Sequence, residues 1–201
     1  MISAEQAIKI VEENNLPITD WEWKNVQDCL NYELYESVFS PIDMPPFPQS
    51  AMDGYALHLH ESHQYKIIGE VKAGDAHQIN LKAGEAIRIF TGAAVPKTAN
   101  AVVMQERTQV NENKLTITTE LKLGANIRPQ AEQVKAGGFI MDIGEIINAA
   151  SIGYLSTLGI SKVKVIRKPK VAILVTGNEL LASGEILTHG KIYESNSKML
   201  L

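Results

Sequence analysis

Apolar residues recur at helical spacing near the start of the chain, where Ala4, Ala7, Ile8 and Val11 share one face. Ser3 stands at the cap position with Glu5 and Gln6 behind it, and Asn14-Asn15 mark a stop, so the spacing predicts a leading helix within residues 1–15. Trp21 and Trp23 then alternate with Glu22 and Lys24 as in a half-buried strand. Residues 26–38 mix a helical turn with an extended run. Pro41, Pro45, Pro46 and Pro48 follow, excluding helix and predicting a stiff extended linker.

From residue 65 the period changes. Short β-rich runs at 65–71, 86–90, 101–105 and 115–119, punctuated by Gly and Asn, predict a small, mostly antiparallel β domain, a barrel or a sandwich. Beyond Gly137-Gly138 the pattern turns helical over 146–158 and then enters a Val/Ile strand at 163–166. The β segment, 46–135, therefore reads as inserted into a discontinuous linking domain of 16–45 and 136–167. Pro169 introduces an almost unbroken apolar run, 170–177, of the kind buried on both faces of a parallel sheet. A parallel strand needs neighbours and covering helices, and residues 190–201 leave room for one further strand and the start of a helix. The expectation is an α/β domain that begins at 168 and is truncated at 201, making the chain α/β and β multidomain.

Composition narrows the classes. With 45% apolar residues the chain has enough material for real cores. A formal charge of -4 without any Lys/Arg block argues against a broad nucleic-acid face. The single cysteine, Cys29, excludes an internal disulfide and a multi-cysteine zinc site, and it fits a reducing cytoplasm. The polar N-terminus lacks a secretory pattern, and no apolar stretch approaches the roughly 20 residues that span a bilayer, so a cytoplasmic protein with no membrane association is expected.

Four places could carry chemistry. Prolines lead into Gln49-Ser50-Ala51-Met52-Asp53-Gly54-Tyr55, an arrangement suited to presenting the Asp53 carboxylate at a fixed point, although Asp-Gly also simply makes turns. In Ile87-Arg88-Ile89-Phe90-Thr91-Gly92-Ala93 the Thr91 hydroxyl and free turn N–H groups could donate to an oxyanion, or the segment is a plain strand end. Arg128 offers a planar fork or is a surface arginine. Glu179, in Val175-Thr176-Gly177-Asn178-Glu179-Leu180, could hold hydrated Mg²⁺ at the end of the parallel strand or could belong to a helix cap. His58, His60 and His63 lie in a polar stretch with Glu61 and Ser62 that reads as an exposed loop in preference to a metal site.

Taken in order, Pro-Pro-Phe-x-x-Ser-Ala-Met-Asp-Gly-Tyr-Ala, Ile-Arg-Ile-Phe-Thr-Gly-Ala, Ala-Val-Val-Met-Gln-Glu and Thr-Gly-Asn-Glu-Leu resemble the MoeA family of molybdopterin molybdenumtransferases, related to the gephyrin E domain. The resemblance implies an elongated linking domain, an inserted β domain and a molybdopterin-binding α/β domain, of which this chain is the N-terminal half. It implies insertion of molybdate into adenylylated molybdopterin with release of AMP, Mg²⁺ as cofactor, a homodimer, and a molybdopterin adenylyltransferase as upstream partner. By motif, Asp53, Thr91 and Glu179 fall on catalytic positions, Arg128, Ser50, Gly92 and Gly177 on substrate-binding positions, and Glu179 and Asp53 on those of the metal. The chain departs from the family at Gln133, where an acid is usual, and at Asn178, where Asp is usual. Gln133 and the missing second half give the alternative, a non-catalytic dimeric binding or scaffolding module.

Overall fold

A computed structural model describes residues 2–75 and 79–200. Two compact units emerge: Trp21–Ile166, and the chain up to Asp20 together with the chain from Arg167 onwards. The protein is mostly β with few helices.

Within Trp21–Ile166, strands β1 (Trp21–Asn25) and β12 (Lys162–Ile166) pair antiparallel, so the two ends of the unit close on each other. Their core is Val26, Cys29, Leu34, Ile147, Leu155 and Val165, with helix α2 (Ala149–Thr157) laid against it. The Asn148 side chain caps α2 by accepting from Ser151 N–H, which starts the helix three residues later than apolar spacing predicts and leaves Ile147 free to enter the core. The expected alternating strand is formed, with Trp21 and Trp23 on its open face, 42% and 57% exposed, and Glu22 and Lys24 the more covered pair. Alternation alone cannot tell which face turns inward. What holds the rings is Lys164, whose ammonium lies 4.8 and 5.4 Å from the two ring centroids and 2.8 Å from Glu36.

The segment between these ends folds into one six-stranded sheet in the order β7-β4-β6-β5-β9-β8, curled into a half-barrel. The strands are β4 (Gly54–Leu57), β5 (Gln64–Val71), β6 (Glu85–Ile89), β7 (Ala101–Met104), β8 (Thr108–Asn111) and β9 (Lys114–Ile117). All neighbours are antiparallel except β5 and β6. Alternate residues feed two cores: Ala56, Ile87, Ile89 and Val102 on one face, Leu57, Ala86, Val103 and Leu115 on the other. Strand β4 escapes the sequence pattern because Gly-Tyr-Ala-Leu is short and runs straight on from the Asp53 turn, yet it is central, paired to both β6 and β7. The proline segment does extend, and it is paired: Met44 bridges Val134, and β3 (Gln49–Ser50) pairs with β10 (Ile127–Arg128). A further short pair joins β2 (Val38–Phe39) to β11 (Phe139–Met141).

In the other unit, helix α1 (Ala4–Asn14) begins at the expected Ser3 cap, which forms a reciprocal capping box with Gln6, and buries none of its residues. The expected buried strand over 170–177 is not formed. That run is irregular and exposed, with Val171 at 81% and Leu174 at 89%, because among the described residues no strand pairs with it and an unpaired strand has no ladder to hold it. The parallel pair of this unit comes later, between β13 (Leu180–Leu181) and β14 (Ile192–Tyr193). Helix α3 (Asn196–Leu200) follows β14 as anticipated, and Leu201 lies outside the described residues.

The tightest constraint in the sheet is at Gly54, where an added Cβ would sit 1.8 Å from the Val103 carbonyl oxygen. Gly54→Ala must part β4 from β7 and is expected to destabilise by about 3 kcal/mol or more. Gly153, in α2, has nothing within 4 Å of its own added Cβ. Gly153→Ala is therefore expected to stabilise by roughly 0.5–1 kcal/mol through helix propensity. Urea titration of the two variants checks both signs, and equal midpoints would contradict this packing.

Candidate functional site

The loop between β3 and β4 is built to hold one carboxylate. Ser50 is buried, and its hydroxyl donates to the Met52 carbonyl at 2.6 Å, closing the tight turn that carries Asp53. Ser50 N–H donates to Ala93 O, Gly92 N–H returns to Ser50 O, and Ala51 N–H donates to Asn126 O. The Ser50 side chain thus faces inward and shapes the loop. Gly92 takes a φ of +81°, which lets the chain after Thr91 turn back to reach Ser50.

On this frame Asp53 Oδ1 accepts two hydrogen bonds from one residue, from the Thr91 backbone N–H and from the Thr91 hydroxyl, both at 2.8 Å. An ionised carboxylate only accepts, so the hydroxyl proton is committed to it. The Thr91 backbone N–H, then its hydroxyl, hold the Asp53 carboxyl below its usual value against slight desolvation, and the Arg88 charge adds to the effect. The anticipated oxyanion donors are therefore absent at this turn: Thr91 N–H and hydroxyl point at Asp53, and Gly92 N–H at Ser50. What the pair presents outward is Asp53 Oδ2 and the lone pairs of Thr91 Oγ1, an all-oxygen acceptor set suited to a hard cation or to N–H donors.

Arg128 is brought to the same loop, since β10 pairs with β3 in the register Ile127 to Ser50 and Arg128 to Gln49. Its side chain is exposed and makes no hydrogen bond or ion pair among the described residues, which leaves the guanidinium fork open to an oxyanion.

Arg88 and Gln105 belong to this site as well, and sequence reasoning passed over both. The Arg88 guanidinium lies over the Tyr55 and Phe90 rings, 5.1 and 5.2 Å from their centroids, and Nη2 donates to Gln105 Oε1 at 2.5 Å. Gln105 N–H in turn donates to the Asp53 carbonyl, so the two residues fasten Asp53 from behind. An arginine inside the otherwise apolar run Ala-Ile-Arg-Ile-Phe was the available signal.

Glu179 and Gly177 lie in the other unit. They stand together ahead of β13, where a Cβ on Gly177 would meet the Glu179 carboxylate at 2.8 Å. Glu179 is exposed, its carbonyl accepts from Ile192 N–H at 2.8 Å, and the Lys191 ammonium donates to the Asn178 carbonyl. Two of the three motif histidines serve loop structure: His58 Nδ1 meets Thr98 O at 2.9 Å, and His60 Nε2 meets Gln64 O at 3.1 Å.

A family model described as the MoeA N-terminal region, domains I and II, matches residues 2–159. The chain belongs to the MoeA N-terminal family. A Haemophilus influenzae protein named molybdopterin molybdenumtransferase is 38% identical over 201 residues, covering 98% of this chain and 50% of the relative. A Staphylococcus epidermidis protein of the same name is 35% identical over 207 residues, with coverages of 99% and 49%. The crystal structure of a MoeA molybdopterin biosynthesis protein from Pyrococcus horikoshii superposes with a TM-score of 0.77 at 33% identity, over all of this chain and 55% of that one. This MoeA-family chain thus spans about half the length of the curated relatives it matches. Among the described residues no helix is long and apolar enough to cross a membrane.

The double hydrogen bond predicts a titration. Carboxyl carbon NMR of Asp53 is expected to show a midpoint below 3.8, and Thr91→Val to raise it only part of the way, because the backbone N–H remains. A depressed folded-state value stabilises above the unfolded midpoint and is lost as pH falls through the folded one, so any Asp53 contribution to acid stability begins to decline near pH 3.8 and is gone only below the lower, folded midpoint. A midpoint at the ordinary aspartate value would show the bonds do not persist in solution.

Proposed function

We propose that this chain is the front half of a molybdopterin molybdenumtransferase, which inserts molybdate into adenylylated molybdopterin and releases AMP in molybdenum cofactor biosynthesis. The observation that carries the reading is the Asp53–Thr91 lock, in which a family motif holds one ionised carboxylate with its second oxygen free. Inserting a tetrahedral oxyanion between two thiolates requires its charge to be neutralised and a phosphoanhydride to be broken, and neither step requires a protein nucleophile. The burial of Cys29 in the other core of its unit accords with that.

The roles follow from what each group offers. Asp53 Oδ2 and Thr91 Oγ1 fit Mg²⁺, which favours oxygen ligands and keeps several waters, so Asp53 is the metal ligand here and Thr91 the residue that fixes it. Glu179, in the other unit, offers a carboxylate of its own for a metal, with Gly177 leaving room beside it. Bound Mg²⁺ would absorb charge developing on the phosphoanhydride. Arg128, with its free fork, takes molybdate or phosphate oxygens, and Ser50 and Gly92 shape the loop beneath. The working protein is a cytoplasmic homodimer supplied by a molybdopterin adenylyltransferase. The non-catalytic reading draws on Gln133, an exposed amide where the family has an acid, but the transferase names of the relatives favour the enzyme.

In the protein extended to its relatives' full length, Asp53→Ala is expected to lower magnesium-dependent AMP release by about 100-fold or more, the order lost on removing one preorganised electrostatic group. Molybdate insertion at the parental rate in that variant would overturn the assignment.

A further inference from the structure

Two arginines serve the sheet edge that carries Asp53, and they are bonded differently. The start of β4 and the ends of β6 and β7 share that edge, because Gly54 pairs antiparallel with both Ile89 and Met104. Asp53, Thr91 and Gln105 therefore leave the sheet as neighbours, joined by Thr91 donating to the Asp53 carboxylate and Gln105 N–H to the Asp53 carbonyl. Arg128 comes to this loop from β10 with its fork unused. Arg88, on β6, donates inside the protein from both Nη atoms, to Gln105 Oε1 at 2.5 Å and to the Gly54 carbonyl at 3.5 Å, and its guanidinium lies over the Tyr55 and Phe90 rings.

The Arg88 charge is nevertheless uncancelled. Its register partner on β5 is Glu70, but Glu70 pairs with Lys72 at 2.9 Å, and Arg88 forms no ion pair among the described residues. Glu106 receives the Gln105 amide instead, Nε2 donating to Oε1 at 3.2 Å. With its oxygen on Arg88 and its nitrogen on Glu106, the Gln105 side chain has one orientation, and its backbone N–H holds the Asp53 carbonyl at 3.1 Å. Neutral acceptors leave the full guanidinium charge acting on its surroundings, and the Asp53 carboxyl, held down first by Thr91, is lowered further by it.

The geometry points to Arg88 as a positioning residue for the Asp53 carboxylate, separate in role from the oxyanion-binding Arg128. It clamps the end of β7 to the start of β4 through Gln105 and Gly54, and it adds a charge that no ion pair cancels. Substrate is left to Arg128, because the Nη atoms of Arg88 are already committed within the sheet. Clamp and charge can be separated by substitution. A planar fork bonds two strands at once, whereas the single nitrogen of lysine keeps the charge without that span.

The test is carried out first on this chain by NMR at low ionic strength, where charge effects are least screened. In Arg88→Met the Asp53 carboxyl midpoint is expected to rise and the Gln105 amide to exchange about tenfold or more faster. Arg88→Lys is expected to restore the midpoint and leave the exchange fast. An unmoved midpoint or parental exchange in Arg88→Met, or a midpoint that lysine fails to restore, overturns the proposal. Arg88 is only partly covered, and Arg88→Gln carries the same test should Arg88→Met fail to fold. The kinetic half rests on the transferase reading: in the full-length protein Arg88→Met is expected to lower kcat by about tenfold or more at an unchanged molybdate KM, while Arg128→Met raises that KM. A parental kcat in Arg88→Met, or a raised KM in its place, makes Arg88 no positioning residue. The NMR measurements need no activity, so they stand even if Asp53→Ala inserts molybdate and the transferase reading falls.

Discussion

The closeness of β4 to β7 governs this protein. At Gly54 the Val103 carbonyl occupies the space where any other residue would place its Cβ, so the central strand can lie in the sheet only because that position is glycine. From that contact β4 runs on to send Ala56 to one core and Leu57 to the other. One residue before it, Asp53 leaves the sheet with its own carbonyl fastened by Gln105. The strand that joins the two cores of the sheet is thus also the support of the candidate carboxylate.

Rigidity at Asp53 therefore comes from several directions. Ser50 closes the turn from within, Gly92 returns the neighbouring chain to it, and Thr91 holds Oδ1 through both a backbone and a side-chain donor. Each contact involves a group that would otherwise need water, and together they leave one carboxylate oxygen facing outward. Preorganisation of this kind suits electrostatic catalysis, because the charge need not be reoriented when the reacting groups arrive.

Much of this was legible beforehand. The Ser3 cap, the strands over 65–71, 86–90 and 101–105, and the helix near 149–157 follow from local spacing and capping, which depend on neighbours in the chain. Arg88 and Gln105 were not legible as a pair, because they meet across the sheet through a side-chain bond between residues 17 apart. The direction of the Thr91 hydroxyl was likewise invisible: a threonine at a strand end is a donor to whatever acceptor the fold brings, and here the fold brings Asp53 from 38 residues away.

The same division holds for the whole chain. By itself the sequence determined the period of each element, the ordered motifs that identify the family, and the residue types available for chemistry, since these are properties of local strings. Tertiary structure decided which face of β1 was open, that residues 170–177 pair with no strand among the described residues, and that Asp53 and Thr91 form one acceptor pair. Burial, pairing and proton direction are set by which distant segments meet, and a pattern along the chain carries no record of its partners.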